Sequence, residues 1–244
     1  MIGIISAMQE EVQMLLNHLS KVETVEKGKR TYYTGELFSK KVVIVFSRWG
    51  KVAAAATTVQ LINDFDLEEL IFTGVAGAIK PELEIGDIVV GSNLYQHDLN
   101  AVPFFEPYEI PILKKAFVET KDSTKLKAAC QYFVDEYNQY INADVATEFK
   151  IAKPAIFIGD IASGDQFISS LEKIKELNEG IPSAVCVEME GAAVGQVCYE
   201  YDIPFSIIRI ISDESNNNAH IDFPKFADKI ASRYAFGILK YYFA

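Results

Sequence analysis

The stretch Ala184-Val185-Cys186-Val187-Glu188-Met189-Glu190-Gly191 leads through Val194, Val197, Cys198 and Tyr201 into Phe205-Ser206-Ile207-Ile208-Arg209-Ile210-Ile211-Ser212-Asp213. The outer two segments are short β-rich runs, and the residues between them recur at the i, i+3, i+4, i+7 spacing of a helix with one buried face. Strand, helix and strand in such close succession set an α/β rhythm. Further β-rich runs at residues 2–5, 42–46, 70–73, 88–90 and 155–158 carry that rhythm through the chain. Val12, Leu15, Leu16 and Leu19 predict an early amphipathic helix. Phe223, Phe226, Ala227, Ile230, Tyr234, Ile238 and Tyr241 predict a last one, with Asp222 as its cap and Pro224 in its first turn.

A chain of 244 residues that is 50% hydrophobic and 23% charged can bury a sizeable core, and residues 1–244 are expected to form one domain. The formal net charge of -11, with no Lys/Arg cluster to offset it, argues against nucleic-acid or anionic-membrane partners. Cys130, Cys186 and Cys198 are odd in number and lack CxxC spacing, which suits reduced thiols. The N-terminal apolar run has no basic residues before it and acids after it, unlike a signal peptide. No apolar run approaches the roughly 20 residues that cross a bilayer. A soluble, cytoplasmic protein is the expectation. Residues 99–111 carry three prolines and the aromatics Phe104, Phe105 and Tyr108, and read as a long ordered loop of functional or interfacial use.

Several chemistries lack their motifs. Gly50-Lys51-Val52 has neither the upstream glycine nor the Ser/Thr of a P-loop, and Gly74-Val75-Ala76-Gly77 lacks the three-glycine dinucleotide pattern. There is no GxSxG elbow, no HExxH and no Cys/His ligand spacing, and His18, His97 and His220 are scattered. No metal and no cofactor are expected.

The acids stand out instead. Between Lys175 and Arg209 there is no Lys or Arg, so no cation close in sequence neutralises Glu188 and Glu190 at the end of an apolar strand. Alternation puts both on one side, where burial is costly unless a hydroxyl-rich ligand or backbone donors satisfy them; the plainer reading is that one caps the following helix. Asp213 ends a strand, at the position where α/β sheets gather ligands, and is either a proton donor or a loop-closing acceptor of backbone amides. Desolvation would raise its pKa unless Arg209 lies close enough to oppose the shift. Glu11 follows the first strand in the opening turn of a helix, whose dipole would favour its ionised form. It is either a base or, like Glu10 beside it, only a dipole partner.

Six ordered motifs carry a resemblance that spans nearly the whole chain. They are Gly3-Ile4-Ile5-Ser6-Ala7-Met8-Gln9-Glu10-Glu11-Val12, Thr73-Gly74-Val75-Ala76-Gly77, Gly86-Asp87-Ile88-Val89-Val90, Ser163-Gly164-Asp165-Gln166-Phe167-Ile168, Val187-Glu188-Met189-Glu190-Gly191 and Arg209-Ile210-Ile211-Ser212-Asp213. The sequence resembles the nucleoside phosphorylase/nucleosidase superfamily, in its 5′-methylthioadenosine/S-adenosylhomocysteine nucleosidase branch. The resemblance implies a three-layer α/β sandwich around a twisted mixed sheet, and hydrolysis of the N-glycosidic bond without a cofactor. It also implies a homodimer with the 104–111 loop, Phe104 included, at the interface. By the same resemblance Glu11 activates water, Asp213 protonates the purine at N7 and Glu190 binds the ribose hydroxyls. Phe167 stacks on adenine, Ile168 presents its backbone to the base, Met189 packs beneath the ribose, Ser212 positions Asp213, and Met8, Ala76 and Gly77 complete the site.

Val75 stands where a serine is frequent in the family, and Trp49 where a smaller aliphatic residue is usual. Residues 134–154 read as a surface excursion longer than the family pattern. Phosphorolytic relatives carry an arginine and a serine where this chain has Phe72 and Val75, which disfavours phosphate. A non-catalytic nucleoside binder of the same fold is the rival of another class. Aminofutalosine stays open as an additional substrate.

Overall fold

The computed structural model describes residues 1–213, 215 and 219–244, the last group without the side chains of 219–222. In chain order, β1 (Ile2–Ser6), α1 (Gln13–Asn17), β2 (Ser20–Lys27), β3 (Arg30–Leu37), β4 (Lys40–Phe46), α2 (Lys51–Asp64), β5 (Glu69–Ala78), β6 (Ile88–Gln96) and β7 (Phe117–Glu119) make up the first half. Then come α3 (Thr124–Asp135), α4 (Ala143–Glu148), β8 (Ile156–Ser163), α5 (Leu171–Gly180), β9 (Ala184–Glu188), α6 (Gly191–Glu200), β10 (Phe205–Asp213), α7 (Ala219–Phe226) and α8 (Ser232–Tyr242).

The strands form one mixed sheet. β10, β5, β1 and β4 run parallel to one another, and β6 and β9 flank that set antiparallel, on β10 and β5 respectively. Parallel pairing of β8 with both β6 and β9 then closes five strands, β5, β10, β6, β8 and β9, into a ring. From β5 the sheet extends as an open wing through β1, β4, β3 and β2.

Both faces of the central strands are covered, which is why these strands read as near-continuous apolar runs. Ile4, Ile44, Ile71, Val90 and Ile208 share one buried cluster with Leu15, Leu126, Phe133 and Tyr234 of α1, α3 and α8. Their strand neighbours Ile5, Val45, Phe72, Val89 and Ile207 share another with Ala54, Leu61, Val194 and Cys198 of α2 and α6. This is the three-layer α/β arrangement around a mixed sheet. Among the described residues no helix is long and apolar enough to cross a membrane.

The fold positions a site through one feature of the ring. β5 and β9 pair antiparallel by Gly77↔Val187 and Ala78↔Cys186, so their carboxyl ends overlap rather than diverge. Asp213, at the carboxyl end of β10, is in register with Gly77, and Ser163 at the end of β8 is in register with Glu188. The carboxyl ends of β5, β8, β9 and β10 therefore converge.

Four details differ from the sequence reading. The first helix is shorter than its apolar spacing predicts, because residues 9–12 form turns and α1 begins only at Gln13. The β2–β3 hairpin escaped notice; Gly28 and Lys29 both have positive φ, at 55° and 59°, as a two-residue hairpin turn of right-handed twist requires. At the other end, α7 opens at Ala219, so Asp222 lies within the helix and is not its cap. Pro224 stands in the helix interior, where it lacks the N–H of the ladder, and a π-helical turn at Ala227–Ala231 follows.

The fourth correction concerns residues 134–154, which are no surface excursion. Val134, Tyr137, Tyr140, Ile141 and Ile151 are buried in the cluster beneath α8, and the Phe133 ring lies 4.7 Å from that of Tyr234. The segment is part of the core. Ile141, 2% exposed, is accordingly expected to cost about 2–5 kcal/mol when cut to Ala. Urea denaturation of Ile141→Ala measures this; a change within about 0.5 kcal/mol, the usual value for surface positions, would restore the excursion.

Candidate active site

The converging strand ends line a concave pocket open to solvent on one side, the setting usual for small-molecule sites. Glu11, Glu190, Asp213 and Ser212 line it together with Met8, Ala76, Gly77, Phe167, Ile168 and Met189. Phe104 does not reach it in this chain and is 86% exposed. Trp49 does reach it: its ring meets Phe223 edge-on at 5.9 Å, and Phe223 meets Phe167 at 6.0 Å, so three aromatics stand along one wall. Phe223 had read only as a core-facing helix position. Gln166, quoted within its motif but given no role, also lines the pocket, as does Ser215, two residues beyond Asp213, whose spacing carries no signal of its own.

Arg209 organises the acids. Its Nη2 donates to Glu188 Oε2 at 2.7 Å, its Nη1 donates to the Ile208 carbonyl at 3.0 Å, and the guanidinium lies 4.0 Å from the Phe72 ring centre. The cation absent from the sequence neighbourhood of Glu188 thus comes from the adjacent stretch of core, on β10. Glu188 also accepts from Ser163 Oγ, from Glu190 N at 3.1 Å and from Gly191 N at 2.8 Å. Glu190 occupies the N-cap position of α6 but makes no side-chain cap bond; Glu188 instead accepts from the first amides and holds the start of the helix. Glu190 is left facing the cavity and accepts from Gly50 N at 2.7 Å. Gly50 can present that amide because its φ is 91°, a conformation that favours glycine.

Burial, reinforced by the charges of Glu188 and Glu11, pushes the Glu190 pKa up to about 8, while Gly50 N and Arg209 pull the other way. Glu11 is 2% exposed and is gripped from both oxygens. Ser6 Oγ donates to its Oε2 at 2.5 Å, Ala7 N at 3.1 Å and Met8 N at 3.0 Å, and Val75 N donates to Oε1 at 3.0 Å. Gly74 leaves room for this, since a Cβ there would stand 2.9 Å from Glu11 Oε1. The helix-dipole account of Glu11 fails, because Glu11 precedes α1 and its pKa is raised: burial outweighs the Ser6 hydrogen bond, Arg209 and the amides of Met8 and Val75. A raised pKa makes it a stronger base than an exposed glutamate.

Asp213, 3% exposed, accepts from Ser212 Oγ at 2.8 Å and from Ser215 N at 2.8 Å. These bonds fix the carboxyl beside Gly77, whose missing side chain keeps the floor open. The thiols contribute nothing here: Cys130, Cys186 and Cys198 are buried, and burial raises the pKa of each. Among the described residues no three His, Cys, Asp or Glu side chains are grouped to hold a metal ion.

The arrangement offers acids at several sides of a small, partly apolar chamber, with an aromatic wall for a flat ring. Known proteins share the fold that builds it. A family model described as the phosphorylase superfamily matches residues 1–244. A 5′-methylthioadenosine/S-adenosylhomocysteine nucleosidase of Staphylococcus aureus is 37% identical over 232 residues, 95% of this chain and 94% of the relative. The crystal structure of such a nucleosidase from Colwellia psychrerythraea, in complex with adenine, superposes with a TM-score of 0.86 at 31% identity, covering 99% of this chain and 93% of that one. The native structure of futalosine hydrolase from Helicobacter pylori superposes with a TM-score of 0.82 at 32% identity, covering 98% and 96%. With its fold and its full length matched, the chain belongs to the phosphorylase superfamily and, within it, to the 5′-methylthioadenosine/S-adenosylhomocysteine nucleosidases.

Proposed function

We propose that this chain hydrolyses the N-glycosidic bond of 5′-methylthioadenosine and S-adenosylhomocysteine, releasing adenine and the thioribose product, with water as the nucleophile. The observation that carries the choice of water is the engagement of Arg209 by Glu188, Ile208 and Phe72. A bound phosphate would need charge-assisted donors beside the sugar. Arg209 is spent on Glu188, and Val75 N is spent on Glu11. An ionised Glu11 repels phosphate in a desolvated site, yet can take a proton from water.

Cleavage builds positive charge on the ribose and negative charge on the departing base, so the transition state is bound best by anions near the sugar and an acid at the purine. In this reading Asp213, positioned by Ser212, protonates the purine at N7 and Glu11 activates the water. Glu190 accepts from the ribose hydroxyls, and Met189 packs beneath the sugar. Phe167 stacks on the base, the Ile168 backbone meets its edge, and Met8, Ala76 and Gly77 complete the walls. The work is that of one domain spanning residues 1–244, in the cytoplasm and with no cofactor. The Helicobacter pylori likeness makes a futalosine-type nucleoside the second substrate to assay.

The chain is further proposed to act as a homodimer. Phe104 and Ile112, 86% and 88% exposed, are large apolar side chains in and beside the 104–111 loop, and such surfaces on soluble proteins mark contacts. The loop would then complete a neighbouring pocket, which explains why Phe104 is remote from its own. Light scattering at assay concentration should give a dimer; a fully active monomer contradicts this.

Asp213→Asn is expected to lower turnover of 5′-methylthioadenosine by about 10²–10⁴-fold, the usual contribution of a general acid, while still binding the nucleoside. An unchanged rate would remove Asp213 from the role.

The pocket should also cost stability at alkaline pH. The folded-state pKa of Glu190 lies above its ordinary value, so the folded protein holds that proton more tightly than the unfolded chain. Stability from this group is full below the ordinary glutamate value of 4.5 and is lost as pH rises through about 8. Glu190→Gln should therefore melt a few degrees higher than the parent at pH 9 and equally near pH 4, while binding nucleoside more weakly. A melting difference independent of pH would contradict the assignment.

A further inference from the structure

Lys51, Asp98 and Asp165 lie outside the pocket lining, yet they close a ring of hydrogen bonds in which Lys51 and Asp165 are close in sequence to residues that bound it. Lys51 Nζ donates to Asp98 Oδ1 at 2.6 Å, Asp165 N donates to Asp98 Oδ2 at 2.8 Å, and Lys51 N donates to Asp165 Oδ1 at 2.7 Å. The ring joins three segments distant in sequence: the start of α2, the chain just beyond β6, and the chain just beyond β8. The Lys51 and Asp98 side chains are only 17% and 16% exposed, so their ion pair is shielded enough to hold its geometry.

Each end of the ring adjoins a part of the pocket. Gly50, next to Lys51, donates its amide to Glu190, the proposed ribose acceptor. Phe167 and Ile168, just after Asp165, line the proposed base end. As N-cap of α2, Gly50 has no side chain to cap the helix, and the Asp165 carboxylate takes that part from another loop. A Cβ on Gly50 would stand 2.9 Å from Asp165 Oδ1, so the glycine admits that carboxylate.

We infer that Asp165 is a positioning residue, which through Lys51 N holds the Gly50 amide on Glu190 and so sets the ribose-binding end of the pocket relative to the base-binding end. The inference rests on the functional reading above. Removing the Asp165 side chain frees Lys51 N, whereas the bond from Asp165 N to Asp98, made by the backbone, survives. The ribose end loosens and the base end stays.

The test compares Asp165→Ala with the parent by calorimetric titration of two ligands, free adenine and a methylthio C-nucleoside whose carbon–carbon glycosidic link cannot be hydrolysed. Adenine affinity should stay within about twofold, and C-nucleoside affinity should fall about tenfold, equivalent to about 1.4 kcal/mol. Asp165→Asn keeps an oxygen for Lys51 N and should recover most of that loss. Equal loss of both ligands would mark a merely structural role and overturn the inference. So would unchanged affinity for both, or a failure of Asp165→Asn to recover binding. A parent protein that binds neither ligand and releases no adenine would instead overturn the functional reading, and this inference with it.

Discussion

The ion pair between Glu188 and Arg209 is the constraint on which the rest of the site depends. Taking two charges out of water is expensive, and the cost is offset by further partners on both ions: Ser163 Oγ, Glu190 N and Gly191 N donate to the carboxylate, while the guanidinium donates to the Ile208 carbonyl and lies over the Phe72 face. One contact therefore fastens β8, β9, β10 and the start of α6 at the point where the carboxyl ends of the strands converge. Glu190 faces the cavity as a consequence, since Glu188 and Gly191, which bracket Met189 and Glu190, are held together.

The charge balance follows from the same pair. With Arg209 engaged, Glu11 and Glu190 lie in a desolvated chamber without a cation of their own, and burial raises the pKa of both. In such a pocket each ionised acid carries a desolvation cost, and an ionised acid with no free cation beside it disfavours phosphate. The pocket is well suited to a ligand that brings hydroxyl donors to Glu190 and develops positive charge between the carboxylates as its bond breaks. Stability given up in the empty state becomes selectivity for a transition state.

Much of this was legible in the sequence, and the limits have physical causes. The core strands announced themselves because both sheet faces are buried, so Ile207 and Ile208, on opposite faces, are equally apolar. β2 was missed because it is exposed and rich in Lys and Glu, with no buried face to impose a pattern. Residues 134–154 misled because their core contacts are made by scattered positions, Tyr137, Tyr140, Ile141 and Ile151, on two short helical turns and a loop that have no sustained period. Residues of five of the six motifs fall into one cavity because they sit at or near strand ends, where topology does the gathering, whereas residues 86–90 contribute none. What a linear reading cannot see is a partner far along the chain: Arg209 for Glu188, or Asp165 for Lys51. Glu11 shows the converse error, in which a helix start was assumed from local spacing and burial decided the charge instead.

The central claim is that a site whose cation is already paired uses water. The most direct measurement is to identify the products of 5′-methylthioadenosine cleavage, by mass, with and without saturating phosphate. The account predicts adenine and free 5-methylthioribose, formed at a rate indifferent to phosphate. A thioribose 1-phosphate product, or adenine release that requires phosphate, would contradict it.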